Sequence, residues 1–212
     1  VDESSGGAQT PRLTARGART RSRIIATAAD LMRLRGVSAT TLDDVVIASN
    51  VSKSQLYWHF EDKHALVGAV IEFVGDRTIA AERARLGSVK TFAGLRRWRD
   101  TLVETNGPQG GRYGCPLGSL ANEVADQDSI ARQKLHDLFS AWQGLFEDLL
   151  RRFQKAGVIP CQADVSQLAI GLLAAVQGGY LLAQASRDVA PLASAIDMTL
   201  AHLRLLGSEA HL

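Results

Sequence analysis

Residues 40–60 read Thr40-Thr41-Leu42-Asp43-Asp44-Val45-Val46-Ile47-Ala48-Ser49-Asn50-Val51-Ser52-Lys53-Ser54-Gln55-Leu56-Tyr57-Trp58-His59-Phe60, and this stretch decides the fold. It describes two short helices joined by a sharp turn. Leu42, Val45 and Val46 form an apolar stripe behind a capping threonine. Asn50 stands at the reversal, where a short polar side chain tolerates the left-handed conformation. The second helix turns Val51 and Leu56 inward and leaves Ser52, Lys53, Ser54, Gln55, Tyr57, Trp58 and His59 outward or to the side. That face is rich in donors and carries no carboxylate, which suits a helix laid in the major groove of DNA.

Upstream, the segment from Pro11 to Arg35 holds seven arginines and one acid, Asp30. The net charge of all 212 residues is only +2, so any phosphate-binding surface is local. A solubilising tail with a solvated helix face accounts for the same run. Residues 1–19, rich in Ser, Gly, Thr and Arg, read as a flexible basic arm. Such an arm either tracks the adjacent minor groove or touches nothing.

Helical periodicity continues on both sides. A first helix is expected over 20–35, with Ile24, Ile25, Ala28, Leu31 and Met32 inward and Gly36 as its stop. Asp62 caps a fourth, through Leu66, Val70 and Phe73 toward Arg83. Gly87-Ser88 marks a break, and another helix follows over 91–106. Gly107 to Gly111 is a loop, and a short helix covers 117–125. Asp128 caps a long helix ended by Gly157 and Pro160; Asp164 opens the next, to about Ser186. Pro191 sits in the first turn of the last, to about Leu206. No segment alternates with period two, so the chain is expected to be all-α.

Composition narrows the function. Hydrophobic residues make up 46% of the chain, enough for a substantial core. Cys115 and Cys161 each stand alone beside a proline, with no metal or redox spacing, and a reducing cytoplasm is the simple expectation. No basic-led apolar leader opens the sequence. The most apolar stretch, Leu168 to Ala183, is interrupted by Gln177; it reads as a buried helix too short to span a bilayer, with no membrane partner. His59, His64, His136, His202 and His211 lie far apart, and no zinc-protease pair, phosphate loop or nucleophile elbow occurs. No catalytic residue, metal or cofactor is expected.

Gly36, Thr40-Thr41, Val51-Ser52-Lys53, Leu56-Tyr57, His59-Phe60, Lys63 and Leu66 match, in order and spacing, the TetR family of transcriptional regulators, which residues 20–72 resemble. Tyr113 to Glu123 is similar to a segment in the ligand domains of one subgroup, the regulators resembling the lincomycin-resistance repressor. Asn50 stands where the family usually has glycine, and Val46 where a small alanine is common. The resemblance implies a helix-turn-helix DNA-binding domain of three helices over 20–72 and a larger ligand-binding and dimerisation bundle over 73–212. The border falls inside the fourth helix, which would couple the two mechanically.

The resemblance assigns Thr41, Tyr57, His59 and Lys63 mainly to phosphates, and their donors suit that role. Ser52, Lys53, Ser54, Gln55 and Trp58 are the candidates for base edges. Gln55 can pair with adenine and Lys53 with guanine, while Trp58 either touches a thymine methyl or covers its own helix. Phe60 reads as core. Family membership further implies a pocket for a small apolar or aromatic effector. Trp98, Leu102, Leu120, Phe139, Trp142, Phe146 and Tyr180 are its candidate lining, and Asn122, Gln143 and Gln177 its polar contacts. Acids and bases look scarce on those faces, although aromatics at helical spacing are more often plain core. Gly171, Ala174, Ala175, Gly178 and Gly179 permit close helix approach, so the last two helices could pair with their twins in a homodimer. Two recognition helices would then read a palindromic double-stranded operator. The function expected is a ligand-released repressor. The alternative is a helical small-molecule carrier that uses no DNA.

Overall fold

The computed structural model describes residues 14–209, and all of its regular structure there is helical. Nine α-helices follow in order: α1 (Ala15–Arg35), α2 (Leu42–Ser49), α3 (Lys53–His59), α4 (Lys63–Gly87), α5 (Phe92–Asn106), α6 (Pro116–Val124), α7 (Ser129–Lys155), α8 (Val165–Ser186) and α9 (Ala190–Glu209). A single 3-10 turn covers Gly107–Gln109.

The ends of these helices follow local chemistry. Thr41 and Asp44 form a reciprocal capping box at α2, and Ser52 and Gln55 form another at α3. Asn50 adopts the left-handed conformation between them (φ 51°, ψ 53°). Asp62, Thr91, Asp128 and Asp164 each accept a backbone N–H at the starts of α4, α5, α7 and α8. The first helix departs from expectation. It begins at Ala15 rather than near Thr20, because Thr14 Oγ1 accepts from Gly17 N at 3.2 Å and caps it there. Arg16 and Arg19 therefore sit on a helix; the rest of the expected arm, residues 1–13, lies outside the described residues.

The helices α1–α3 close over the start of α4 around Ile24, Ala28, Val45, Leu56, Phe60, Leu66 and Val70, all buried. The larger bundle of α5–α9 packs on the remainder of α4. Its centre holds Leu95, Leu102, Phe146, Leu149, Leu150, Leu172 and Leu203. Phe92 meets Phe153, and Trp98 meets Phe146, edge to face at 5.5 and 5.6 Å. Gly75 lets α7 approach α4 closely, since a β-carbon there would collide with the Leu138 side chain.

One helix corrects the sequence estimate. At 22 residues, α8 is long and apolar enough to cross a bilayer by length and composition alone. Leu172, Leu173, Val176, Tyr180 and Ala183 are buried in the bundle. Ile170, Leu181 and Leu182 lie exposed on its outer side, so α8 is buried on one face only.

Candidate nucleic-acid interface and cavity

Capping chemistry sets which side chains α3 exposes. Ser52 starts the helix, its Oγ accepting from Gln55 N at 3.2 Å, while Ser52 N donates to Gln55 Oε1 at 2.9 Å. Seven residues then carry one inward side chain, Leu56, and six outward or lateral polar and aromatic ones. Lys53, Ser54 and Gln55 are exposed, as are Tyr57 (54%) and Trp58 (64%); His59 is half-buried. No carboxylate occurs on α3 itself. Phe60 is buried, as expected.

Several of these side chains already hold partners. Lys53 Nζ lies 2.9 Å from Asp43 Oδ1 of α2, which raises the ammonium's pKa. Thr41 Oγ1 donates to Asp44 Oδ2 at 2.6 Å, and that bond holds the Asp44 carboxyl below its ordinary range. Gln55 Oε1 is engaged in the capping box, so an adenine edge must displace it or be met by the amide nitrogen alone. Lys63 Nζ donates to Ser38 O at 3.3 Å, which fixes it beside the α1–α2 turn. Burial, and then the Arg21 guanidinium, push the His59 imidazole below its ordinary value, so it favours the neutral form. Trp58 packs edge-on to His59 with ring centroids 4.6 Å apart.

A groove of about 360 Å³ runs between α3 and the first turns of α1, lined by Ser54, Gln55, Trp58, His59, Thr14, Arg16, Gly17 and Thr20. The α1 residues were absent from the sequence candidates. The Thr14 signal, a threonine ahead of a helix-compatible run, was masked by the Gly- and Ser-rich composition around it.

Behind this surface lies a cavity of about 480 Å³, bounded by α1, α4, α5, α6, α7, α8 and the loop before α6. Leu102, Leu120, Trp142 and Tyr180 line it, as expected from the sequence. Trp98, Asn122, Phe139, Gln143, Phe146 and Gln177 lie outside its lining. Trp98 and Phe146 stack in the bundle core, Asn122 is exposed, and Gln143 bonds Glu147 and Ser166. Gln177 sits near Gly118 and Cys115. The lining the sequence missed comes largely from α1 and α4: Ala29, Met32, Val70, Phe73 and Val74. Helical periodicity marks these as core and cannot tell which core positions face a void.

Charge is also more abundant there than expected. Asp30, Arg33, Arg77, Glu82, Arg85 and Glu123 all border the cavity. Glu82 is only 2% exposed; its Oε1 accepts from Arg85 Nη1 at 2.5 Å and its Oε2 from Trp98 Nε1 at 3.0 Å. Arg33 lies over the Tyr113 ring at 4.6 Å, joining α1 to the loop before α6. Burial pushes the Cys115 thiol up and the Tyr180 phenol to about 12.

Glu123 ties the two parts together. Its Oε2 accepts from Val37 N at 2.6 Å and Ser38 N at 3.4 Å. Gly36 makes room for it: the backbone there has φ +89°, and a β-carbon would stand 2.9 Å from the carboxylate. A residue of the cavity wall is thus bonded directly to the turn that leads into α2. His64 Nδ1 and Asp128 Oδ2, 3.3 Å apart, and an ion pair between Glu72 and Lys134 join α4 to α7 or its cap.

Two family models match this chain. Residues 24–70 match "Bacterial regulatory proteins, tetR family", and residues 91–198 match "Transcriptional regulator LmrA/YxaF-like, C-terminal domain". The chain is 30% identical over 161 residues to the HTH-type transcriptional repressor DhaR of Mycobacterium sp. (strain GP1), covering 74% of this chain and 79% of that protein. It is 24% identical over 188 residues to the HTH-type transcriptional regulator YxaF of Bacillus subtilis (strain 168), covering 85% and 92%. The fold is similar to that of regulatory protein TetR from Rhodobacter sphaeroides, with a TM-score of 0.77 at 24% identity over 86% of this chain and 98% of that one.

Proposed function

Since the chain belongs to the TetR family of transcriptional regulators, we propose that it is a cytoplasmic homodimeric repressor that leaves its palindromic operator when a small molecule fills the cavity behind α1. The observation that carries this proposal is that α1 is at once a support of the recognition helix and a wall of the cavity. A ligand pressing on Ala29, Met32 or Arg33 acts on the unit that holds α3, with no intermediate element needed.

In this proposal residues 20–72 form the DNA-binding unit and residues 73–212 the sensing and dimerising one. Tyr57, Thr41, His59 and Lys63 set the register on phosphates, while Ser52, Lys53, Ser54, Gln55 and Trp58 face base edges. The dimer forms through the outer faces of α8 and α9, where Ile170, Leu181, Leu182, Met198 and Leu205 are exposed. Gly171 and Gly178 leave open space on the same side of α8. The match over residues 91–198 supports placing the chain with regulators resembling the lincomycin-resistance repressor. The ligand shifts a balance between two arrangements only in so far as it binds them unequally.

Selection of DNA sites from a random pool by the purified protein tests the proposal. A palindrome whose half-sites are one helical turn or more apart is the expected result. Recovery of no sequence would point instead to a helical small-molecule carrier.

A further inference from the structure

The chemistry of the cavity goes one step beyond the proposed function, on which it rests: it specifies what the effector must carry. The most buried acceptor on the wall is already occupied. Both oxygens of Glu82 hold donors from Arg85 and Trp98. Glu123 holds the amides of Val37 and Ser38. Donors are left over. Trp142 is 2% exposed and lines the cavity, yet its Nε1–H has no acceptor. Tyr180, also buried on the lining, accepts from Asn106 Nδ2 at 3.4 Å, and its own proton meets no acceptor among the described residues. Burial keeps that phenol protonated and therefore a donor. A buried donor without a partner is uncommon and unfavourable, and it marks a place where an acceptor belongs.

Much of the rest of the wall is apolar. Met32, Val70, Val74, Leu102 and Leu120 supply apolar wall. The half-buried cation Arg85 is paired with Glu82. Arg33 and Arg77 are exposed and lie over Tyr113 and Phe73, and Asp30 and Glu123 border the same space, so charge of both signs lines it. We infer that the effector is a largely apolar molecule bearing a hydrogen-bond acceptor such as a carbonyl oxygen, received by Trp142 Nε1–H with the Tyr180 hydroxyl as second donor. An ammonium or alkane of the same shape leaves Trp142 unpaired.

Two probes of nearly equal shape test this: 2-acetylnaphthalene, and 2-isopropenylnaphthalene, in which a methylene group replaces the oxygen. Titration calorimetry on the full chain gives both affinities. The ketone should bind about three- to tenfold more tightly, the range of one net hydrogen bond. In Trp142→Phe the preference should shrink, and with Tyr180→Phe added it should vanish, while the hydrocarbon's affinity stays unchanged. Equal affinities in the unaltered protein, which needs no variant to fold, would overturn the inference; so would a preference undiminished in Trp142→Phe, or failure of both probes to bind. A gel shift run beside the titration separates the two levels. Preferential ketone binding with DNA still held would sink the effector role and leave the acceptor site standing. DNA release by both probes alike would do the reverse.

Discussion

At the scale of single residues, the recognition face is a set of side chains borrowed from local duties. Lys63 is the simplest. Its ammonium donates to the Ser38 carbonyl of the α1–α2 turn and has no carboxylate partner among the described residues, so a phosphate can take it. Lys63→Ala should weaken binding to all sequences and lower the salt dependence by about one ion, as read from affinity against salt concentration. Gln55→Ala should instead alter the selected sequence more than the affinity, and it should also loosen the start of α3, whose cap it completes. His59 gives a pH dependence of defined sign. Its folded value lies below the ordinary 6.5, so the stability it contributes is complete above that pH and falls as the pH drops through the depressed value. Binding a phosphate favours the imidazolium, so operator affinity should rise as the pH falls below 6.5, and His59→Gln should remove that part of the rise. Residue identities on this face were legible in the sequence because spacing alone places Leu56 inward and its neighbours outward. Their internal partners were not, since Lys53 meets Asp43 ten positions away across a turn.

At the scale of elements, the capping residues fixed where most helices start, and periodicity fixed which faces they bury. The start of α1 escaped because composition around Thr14 argued for a coil while one cap decided for a helix. Cavity walls escaped for a different reason: a side chain on the inner stripe looks the same whether it meets another side chain or a void. Hence Trp98 and Phe146, which stack on each other, were indistinguishable from Trp142, which lines the space. The Glu123 bridge shows the same blindness to distant contacts, joining positions 86 residues apart. Glu123→Ala strips the Val37 and Ser38 amides of their acceptor and should cost about 1–3 kcal/mol of stability by denaturant titration. It should also reduce the difference in operator affinity between the liganded and free protein. Gly75→Ala should cost about 1–3 kcal/mol through overpacking against Leu138, with operator sequence preference unchanged.

At the scale of the whole molecule, the proposed dimer rests on the outward apolar faces of α8 and α9. Leu181→Lys combined with Met198→Lys, both at exposed positions, should halve the sedimenting mass and abolish tight binding to a palindrome while leaving the helical content intact. Small residues along α8 are legible in the sequence, but Gly179 packs within the chain against Leu192 whereas Gly171 and Gly178 face open space, a division that only the fold makes. The shared wall of the cavity also bears on engineering. Grafting the first 72 residues of another regulator onto this bundle would replace Ala29, Met32 and Arg33 and so rebuild one side of the cavity. Chimeras made at that junction should respond to a different range of compounds from either parent, and retargeting that preserves the response must carry this strip of α1 along with the bundle.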